Sequence, residues 1–363
     1  MSALKSKAPS SLRTTLAERV VIADGAMGTM LQAANPTLDD FQGFEGCNEI
    51  LNITRPELVA EIHRQYFSVG VDAVETNTFG ANLANLGEYG ISDRIYELAE
   101  AGAKIAREVA DSFTQPDSPK WVLGSLGPGT KLPTLGHATY AELRAAYEIA
   151  SLGLIDGGAD ALLIETTQDL LQAKAAVNGA RSAIDKSERD ILLIAQVTVE
   201  TTGTMLLGSE IGAALSSLSA LGIDLIGMNC ATGPAEMSEH LRTLSNSSTI
   251  GISCMPNAGL PILKDGGAFY PLGPNDLAKA LKDFVTTYGI SLIGGCCGTT
   301  PGHLKAVVDE VGGLKISSRK PTIEAGASSL YQFVPFRQDQ TYLAIDRKST
   351  RLNSSHTVIS YAV

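Results

Sequence analysis

The segment Ser291-Leu292-Ile293-Gly294-Gly295-Cys296-Cys297-Gly298 joins a short apolar run to a glycine-bearing turn that carries two adjacent cysteines. An apolar run followed by a glycine-rich turn is typical of a buried β-strand that ends in a loop. Adjacent thiols form a strained disulfide, but they are good ligands for a single soft metal ion. The segment therefore predicts the carboxyl end of a strand that carries part of a metal site, with a third thiol arriving from elsewhere.

Seven other short apolar runs precede this segment, and each is nearly continuous, as strands buried on both faces should be. A longer segment with helical start and stop signals follows each run. Eight such pairs are the pattern of a (β/α)8 TIM barrel, an α/β fold. A doubly wound sheet is the alternative, but it usually has fewer strands and a glycine-rich first turn that binds phosphate. The predicted strands begin at Val20, Ala73, Trp121, Ala161, Leu192, Leu225, Ile250 and Ser291, and the predicted helices cover 56–70, 94–113, 139–155, 170–182, 211–221, 235–244, 274–288 and 301–311.

Polar and thiol side chains fall where the predicted strands end. Because barrel enzymes act at the carboxyl ends of their strands, we expect these side chains to share one rim. They are Asp24, Asn77, Ser125 and Glu165 after strands one to four, Cys230 after strand six, Cys254 after strand seven and Cys296-Cys297 after strand eight. The acids and the two smaller polar residues are candidates for substrate contact. The structural alternatives are a turn or helix cap, an ion pair, or a turn-stabilising side chain.

Three of the five cysteines are expected to bind zinc. Cys230, Cys296 and Cys297 would supply three thiolates and leave the fourth position open, which a catalytic zinc keeps and a structural zinc lacks. Free cysteines also occur simply as small buried apolar residues. We assign Cys47 and Cys254 to that packing role.

The composition of the 363-residue chain excludes several classes of partner. A net charge of −11 argues against nucleic acid, which would require a basic face. No apolar run reaches the length of a membrane span, and Met1–Lys7 lacks the apolar core of a secretory signal. Five cysteines with two of them adjacent do not form a disulfide framework, so we expect a cytoplasmic protein.

The chain is expected to have four parts. Residues 1–16 form an N-terminal arm that we expect to be disordered, although basic residues and serines without acids also allow a transit peptide. Residues 17–313 form the barrel. Residues 314–345, with the aromatic stretch Tyr331–Phe336, form an interdomain connector that packs against another part of the protein. Residues 346–363 look like the translation of a sequencing adapter joined to a truncated gene, and we exclude them from the fold.

Six motifs resemble those of the zinc-dependent homocysteine methyltransferases, over roughly residues 17–312. They are Asp24–Thr29 (DGAMGT), Glu75–Phe79 (ETNTF), Gly127-Pro128, Glu165-Thr166, Asn229-Cys230 and Gly294–Gly298 (GGCCG). Two further segments, Pro256–Pro261 (PNAGLP) and the connector around Gln332–Asp339, most resemble the N-terminal module of cobalamin-dependent methionine synthase. In that protein the connector leads into a folate-binding barrel.

The resemblance implies that the chain binds homocysteine and activates its thiol as a zinc thiolate for S-methylation to methionine. It assigns Asp24 and Glu165 to the ammonium group of the substrate. Backbone N–H groups of Gly25 and Ala26 could hold the substrate carboxylate, since glycine permits a close approach. Without substrate, water is the default fourth zinc ligand, and Asn257 could instead supply a neutral side-chain oxygen that the substrate displaces.

The same resemblance implies zinc as the cofactor of this chain and methylcobalamin as a cofactor of the full-length protein only. The likeness ends after Ile345, so we expect the folate, cobalamin and reactivation modules to be missing here. One alternative is a stand-alone homocysteine S-methyltransferase that uses betaine or S-methylmethionine, against which the truncated connector argues. Another is a non-catalytic thiol–metal barrel, against which the aligned Asp24 and Glu165 argue.

Overall fold

The computed structural model describes residues 11–264 and 267–337, and eight parallel strands within them form one sheet. The sheet order is β1-β8-β7-β6-β5-β4-β3-β2, so the last strand returns to the first. The predicted (β/α)8 barrel is therefore confirmed. The strands are β1 (Val21–Ile22), β2 (Ala73–Glu75), β3 (Trp121–Leu126), β4 (Ala161–Thr167), β5 (Leu192–Val197), β6 (Leu225–Asn229), β7 (Gly251–Met255) and β8 (Leu292–Ile293).

The barrel closes between β1 and β2 through aspartate side chains. The Asp72 amide donates to the Ile22 carbonyl at 2.7 Å, and the Ile22 amide donates to Asp72 Oδ2 at 3.0 Å. Nearer the carboxyl ends of the same two strands, the Glu75 amide donates to Asp24 Oδ1 at 3.0 Å. Carboxylate acceptors thus satisfy backbone donors where the strand ladder is interrupted, as buried backbone groups require.

The eight predicted helices all form, and four more accompany them. The eighth predicted helix is reproduced at both ends, whereas α8 runs beyond its predicted end because Ala183 and Ile184 are also buried. No helix in the described residues combines the length and apolar character needed to cross a membrane. The helices are α1 (Leu12–Glu18), α2 (Met27–Ala34), α3 (Leu51–Thr54), α4 (Pro56–Ser68), α5 (Leu83–Glu88), α6 (Ile95–Phe113), α7 (Tyr140–Asp156), α8 (Leu170–Ser187), α9 (Ile211–Ser219), α10 (Pro234–Ser247), α11 (Pro274–Asp283) and α12 (Pro301–Val311).

Helix α1 covers the amino-terminal end of the barrel. Leu12 and Leu16 are buried in one cluster with inward-facing strand residues such as Trp121 and Leu292. Arg13 of the same helix pairs with Asp224, which lies just before β6. The expectation of a disordered arm is therefore wrong for residues 12–16. Two leucines four positions apart are enough to bind this short helix to the open end of the barrel.

The described part of the connector runs along the outside of the barrel. The Arg319 guanidinium donates to the carbonyls of Ser248 and Ile250, at 2.7 and 2.6 Å. Further on, Gly326–Ser328 pairs with Phe333–Pro335 in a short antiparallel ribbon. At the tip of that ribbon the Tyr331 carbonyl accepts from the Glu210 amide at 2.8 Å. The proposed adapter tail, 346–363, lies outside the described residues.

We predict that Leu16→Ala lowers the free energy of unfolding by about 2–3 kcal/mol, the lower part of the range for a buried leucine truncation. The reason is that Leu16 is 8% exposed and packs into the end of the barrel. Chemical denaturation measures the change. Glu18→Ala, at an exposed position of the same helix, is the matched control and should stay within about 0.5 kcal/mol. Equal stability of the two variants would show that α1 is not a structural cover.

Candidate active site

A cavity of about 230 Å³ opens at the carboxyl ends of the strands. Its lining includes both thiols and carboxylates. The predicted site residues that line it are Gly25, Ala26, Asn77, Ser125, Glu165, Cys230, Cys296 and Cys297. Asp24 is buried beside this lining, with 1% of its surface exposed, and Asn257 lies outside the lining. The shared rim predicted from the strand ends is therefore present.

The three thiols predicted to bind metal form one cluster. The sulfur atoms of Cys230, Cys296 and Cys297 all lie within 4.8 Å of one another, and Cys230 Sγ is 3.8 Å from Cys297 Sγ. A tetrahedral zinc ion with bonds of about 2.3 Å would hold its sulfur ligands about 3.8 Å apart. The spacing and the all-thiol donor set fit zinc, so this cluster could hold a metal ion with one position left for another ligand.

Cys230 reaches the cluster through an unusual backbone. Cys230 and Ala231 both have a positive φ, +60° and +54°, which non-glycine residues adopt at a cost of about 1–2 kcal/mol. The turn is held because the Cys230 amide donates to the Met255 carbonyl at 3.2 Å and the Thr232 amide donates to the Cys230 carbonyl at 2.6 Å. The strain is tolerated where it directs a thiol over the end of β6.

The other two cysteines are positioned by the segment that follows β7. The Cys296 amide donates to the Pro256 carbonyl at 2.8 Å, and the Cys297 carbonyl accepts from the Ala258 amide at 3.0 Å. Asn257 lies between these contacts, and its amide donates to Thr232 in the Cys230 loop. The side chain of Asn257 is 2% exposed, and its Oδ1 has no hydrogen-bond partner in the described residues. Its role as a displaceable ligand stays a prediction.

The thiol cluster favours one negative charge even without a metal. Hydrogen bonds from Cys230 and Cys296 lower the pKa of Cys297 to about 3. The same contacts raise the pKa of Cys296 well above its ordinary value. One thiolate is thus stabilised by two thiols, and a cation at the centre would favour loss of the two remaining protons.

Asp24 and Glu165, the two predicted acids of the site, are both buried. Asp24 Oδ1 accepts from the Glu75 amide, whereas its Oδ2 is buried with no partner in the described residues. Glu165 Oε1 accepts from Ser125 Oγ at 2.5 Å, and Oε2 accepts from Asn229 Nδ2 at 3.2 Å. Burial raises the pKa of Asp24, and it raises the pKa of Glu165 to about 7. Such buried acids require a cation or a proton.

The strand that carries Glu165 is irregular at this point. Thr166 has φ +56°, and the pairing of β4 with β5 shifts register between Ile164 and Thr167. Glu165 therefore does not end its strand as predicted, because β4 continues for two residues through the irregularity. Ser125 likewise lies one residue inside β3. Bulges of this kind redirect side chains next to active sites.

Two predicted substrate contacts already have protein partners. Asn77 donates to the Asn48 carbonyl at 2.8 Å and to Asn52 Oδ1 at 2.9 Å, so its amide holds two loops together. The Ala26 amide donates to Thr299 Oγ1 at 3.2 Å. The amide predicted to hold the substrate carboxylate thus has an acceptor within the protein. The amides of the following turn of α2 lack any side-chain cap.

Cys254 is separate from the thiol cluster. It lies within β7 rather than after it, is fully buried, and has its Sγ 3.8 Å from Met237 Sδ. Burial raises its pKa. This confirms the packing role assigned from the sequence. Cys47 is also buried, with its Sγ 3.7 Å from Glu49 Oε2.

Three residues of the site were missed by the sequence reasoning. Glu49 and Glu75 line the cavity, and Asn229 donates to Glu165 and accepts from the Thr166 amide at 2.7 Å. A signal existed for Glu75, which ends a buried strand as Asp24 does. Asn229 precedes a predicted metal ligand and belongs to the Asn229-Cys230 motif of the resemblance, but no role was assigned to it. Glu49 had none, because it comes from a loop between β1 and α3.

Comparison with known proteins matches this fold and site to one family. The family model for homocysteine S-methyltransferase matches residues 21–311. The chain belongs to this family. It is therefore a methyltransferase domain, and the catalytic class expected from the resemblance is confirmed.

Two curated relatives are similar over almost the whole chain. The methionine synthase of Mycobacterium tuberculosis is 59% identical over 95% of this chain, and that of Mycobacterium leprae is 58% identical over 95%. This chain spans only 29% of the length of either relative. Among solved structures, the metallated form of the homocysteine methyltransferase MmuM from Escherichia coli superposes with a TM-score of 0.64 at 22% identity, over 79% of this chain and 95% of that one. At that identity the match supports the fold alone.

We predict that Cys296→Ala lowers zinc affinity on the order of a hundredfold, because it removes one of the three proposed thiolate ligands, and structural zinc sites in peptides bind with about 10–16 kcal/mol in total. Metal analysis after dialysis is the measurement. Cys254→Ala is the matched control, since that thiol lies outside the cluster, and it should retain zinc. Full zinc retention by Cys296→Ala would rule out this set of ligands.

Proposed function

We propose that this chain binds homocysteine and activates its thiol at a zinc ion for methylation to methionine, as the N-terminal module of a cobalamin-dependent methionine synthase. The observation that carries this proposal is the arrangement of the cavity. Three thiols with zinc-compatible spacing and the buried acid Glu165 line one small cavity, and a second buried acid, Asp24, lies next to its lining. An amino acid with a thiol at the end of its side chain presents complementary groups at both of its ends.

Cys230, Cys296 and Cys297 would hold the zinc ion, which when bound stabilises the deprotonated form of a thiol. A free thiol has a pKa of about 8.5, so only a small fraction is the nucleophilic thiolate at neutral pH. Three thiolate ligands would already offset the charge of the metal, which keeps the substrate sulfur electron-rich. The donor set therefore suits activation of a nucleophile better than polarisation of a carbonyl.

The amino acid end of the substrate would lie against the acids and α2. Asp24 Oδ2 is a buried acceptor with no partner in the part of the chain that the structure describes, and Glu165 is oriented by Ser125 and Asn229. Both are suited to an ammonium group. The substrate carboxylate would accept from the uncapped amides at the start of α2, whose first residues Met27 to Thr29 line the cavity. The amino-terminal end of a helix favours an anion.

The natural methyl donor would arrive from another module. Because the chain spans 29% of its curated relatives, we propose that folate, cobalamin and reactivation modules belong to the full-length protein and that methylcobalamin is bound there. The described connector packs against the barrel before it reaches Arg337, as a tether between modules would. We propose a cytoplasmic location, because a reducing compartment would keep the three thiols available as metal ligands.

A donor assay tests the proposal. Zinc-loaded protein is incubated with homocysteine and, separately, with methylcobalamin, betaine or S-methylmethionine, and methionine is quantified. We expect methionine from methylcobalamin alone. Production from betaine or S-methylmethionine would instead support a stand-alone methyltransferase. No methionine from any donor would contradict the proposed reaction.

We also predict that homocysteine binding to the zinc-loaded protein releases close to one proton at neutral pH. The free thiol is mostly protonated, whereas a metal ligand must be deprotonated. Calorimetry in buffers of different ionisation enthalpy measures the release. Homoserine, which has a hydroxyl in place of the thiol, is the control ligand and should bind far more weakly. A release near zero would mean that the sulfur does not reach the metal.

A further inference from the structure

Glu75 is a third acid in this site, and the proposed reaction has not yet used it. It is the last residue of β2, and its side chain lines the cavity together with Glu165. Its amide donates to Asp24 Oδ1 at 3.0 Å, which fixes the end of β2 against the residue that follows β1. Glu75 thus lies at the same rim position as Asp24, one strand along the barrel.

The charges around Glu75 are all of one sign. No lysine, arginine or histidine is among the described residues that line the cavity. The carboxyl groups of Asp24, Glu75 and Glu165 interact with one another, and burial together with this repulsion raises the pKa of Glu75 well above its ordinary value. A zinc ion held by the thiols would be largely neutralised by them. The three carboxyl groups therefore lack a counter-charge of their own.

A primary ammonium group would supply the positive charge that these three acids lack. It carries one positive charge and three N–H donors arranged around one nitrogen. Glu75 of β2 and Glu165 of β4 line the same cavity, and Asp24, which follows β1, is buried beside them and bonded to the Glu75 amide. Asp24 Oδ2 is buried with no hydrogen-bond partner among the described residues. Glu165 Oε1 accepts from Ser125 and can accept a second bond, whereas Oε2 accepts from Asn229 and Thr166.

We propose that Glu75 is a third acceptor for the substrate ammonium, so that Asp24, Glu75 and Glu165 together accept its three N–H bonds. Glu75 then determines specificity, because it favours thiols that carry a free amino group over thiols that lack one. This inference rests on the proposed function, since it takes homocysteine as the ligand, and adds a residue to the binding of its amino end.

The test compares two thiols on two forms of the protein. Homocysteine and 4-mercaptobutyrate, the same chain without the amino group, are titrated into zinc-loaded protein by calorimetry. In Glu75→Gln we expect homocysteine affinity to fall about tenfold or more, the effect of one hydrogen bond to a charged group. We expect 4-mercaptobutyrate affinity to change less than about twofold, because it offers no ammonium for the lost carboxylate. Zinc content should stay unchanged.

Glu49→Gln is the matched control within the same cavity. The Glu49 carboxylate also lines the cavity, but its Oε1 already accepts from the Gly80 amide at 2.7 Å. It holds the loop after β2 and is committed to that contact. We expect this variant to change the affinities of both thiols by the same factor, whereas Glu75→Gln should change their ratio.

The outcomes separate this inference from the function on which it rests. An unchanged ratio of the two affinities in Glu75→Gln, with homocysteine still bound by the unmodified protein, overturns the role of Glu75 alone. Binding of neither thiol by the unmodified protein overturns the proposed function and this inference with it. If Glu75→Gln does not fold, Glu75→Asp retains the charge on a shorter side chain. The ratio of homocysteine affinity to 4-mercaptobutyrate affinity in Glu75→Asp should then fall between the ratio of the unmodified protein and that of a Glu165→Gln variant. A ratio equal to that of the unmodified protein would overturn the proposal.

Discussion

Strand β7 lies between β6 and β8, and the candidate metal centre depends on this pairing. Asn229 of β6 lies opposite Met255, and Ile293 of β8 lies opposite Cys254. The residues that follow β6 and those that follow β8 therefore lie on the two sides of β7. The next segment of that strand, Pro256–Ala258, hydrogen-bonds to both cysteine loops through its backbone. Two thiols distant in sequence from a third thus meet because one short segment joins their loops.

The site is assembled against local preferences of the chain. Cys230, Ala231 and Thr166 adopt left-handed backbone conformations without being glycine. Acids are buried where no basic side chain of the described residues lines the cavity. Each feature is unfavourable in the empty protein, and strained or same-charge features of this kind are typical of sites whose ligands supply the compensation. The stability that tolerates them comes from elsewhere in the barrel, including the cluster of Leu12 and Leu16 at the opposite end.

The sequence was informative wherever one residue and its neighbours decide the outcome. Continuous apolar runs predicted all eight strands, and the rim positions of Cys230 and Cys296 followed from where those runs end. Helix α1 was missed because its only apolar signal is a pair of leucines in a basic, serine-rich segment. Glu49 was missed because its place in the cavity depends on how a loop folds over the barrel, and no local pattern encodes that contact.

Substrate contacts were harder to predict than metal ligands, for a physical reason. Thiols are rare, so three near strand ends already suggest a cluster, whereas amides and hydroxyls have many possible partners. Asn77 and Ser125 lie at the rim as expected, yet their hydrogen bonds go to Asn52 and Glu165. Strand register and the bulge at Thr166 decide these partners, and neither is visible in composition or periodicity.

The connector also determines how mechanical force would reach the barrel. It leaves the amino-terminal end, where the Val20 amide donates to the Leu314 carbonyl, and is anchored by Arg319 before its ribbon reaches the start of α9. A pull applied at Arg337 would first load the three paired residues of that ribbon and the Glu210–Tyr331 contact. These contacts belong to the β5–α9 side of the barrel. The loops that carry the thiols follow β6 and β8, so the ribbon contacts with the start of α9 lie on a different part of the barrel from the sulfur atoms.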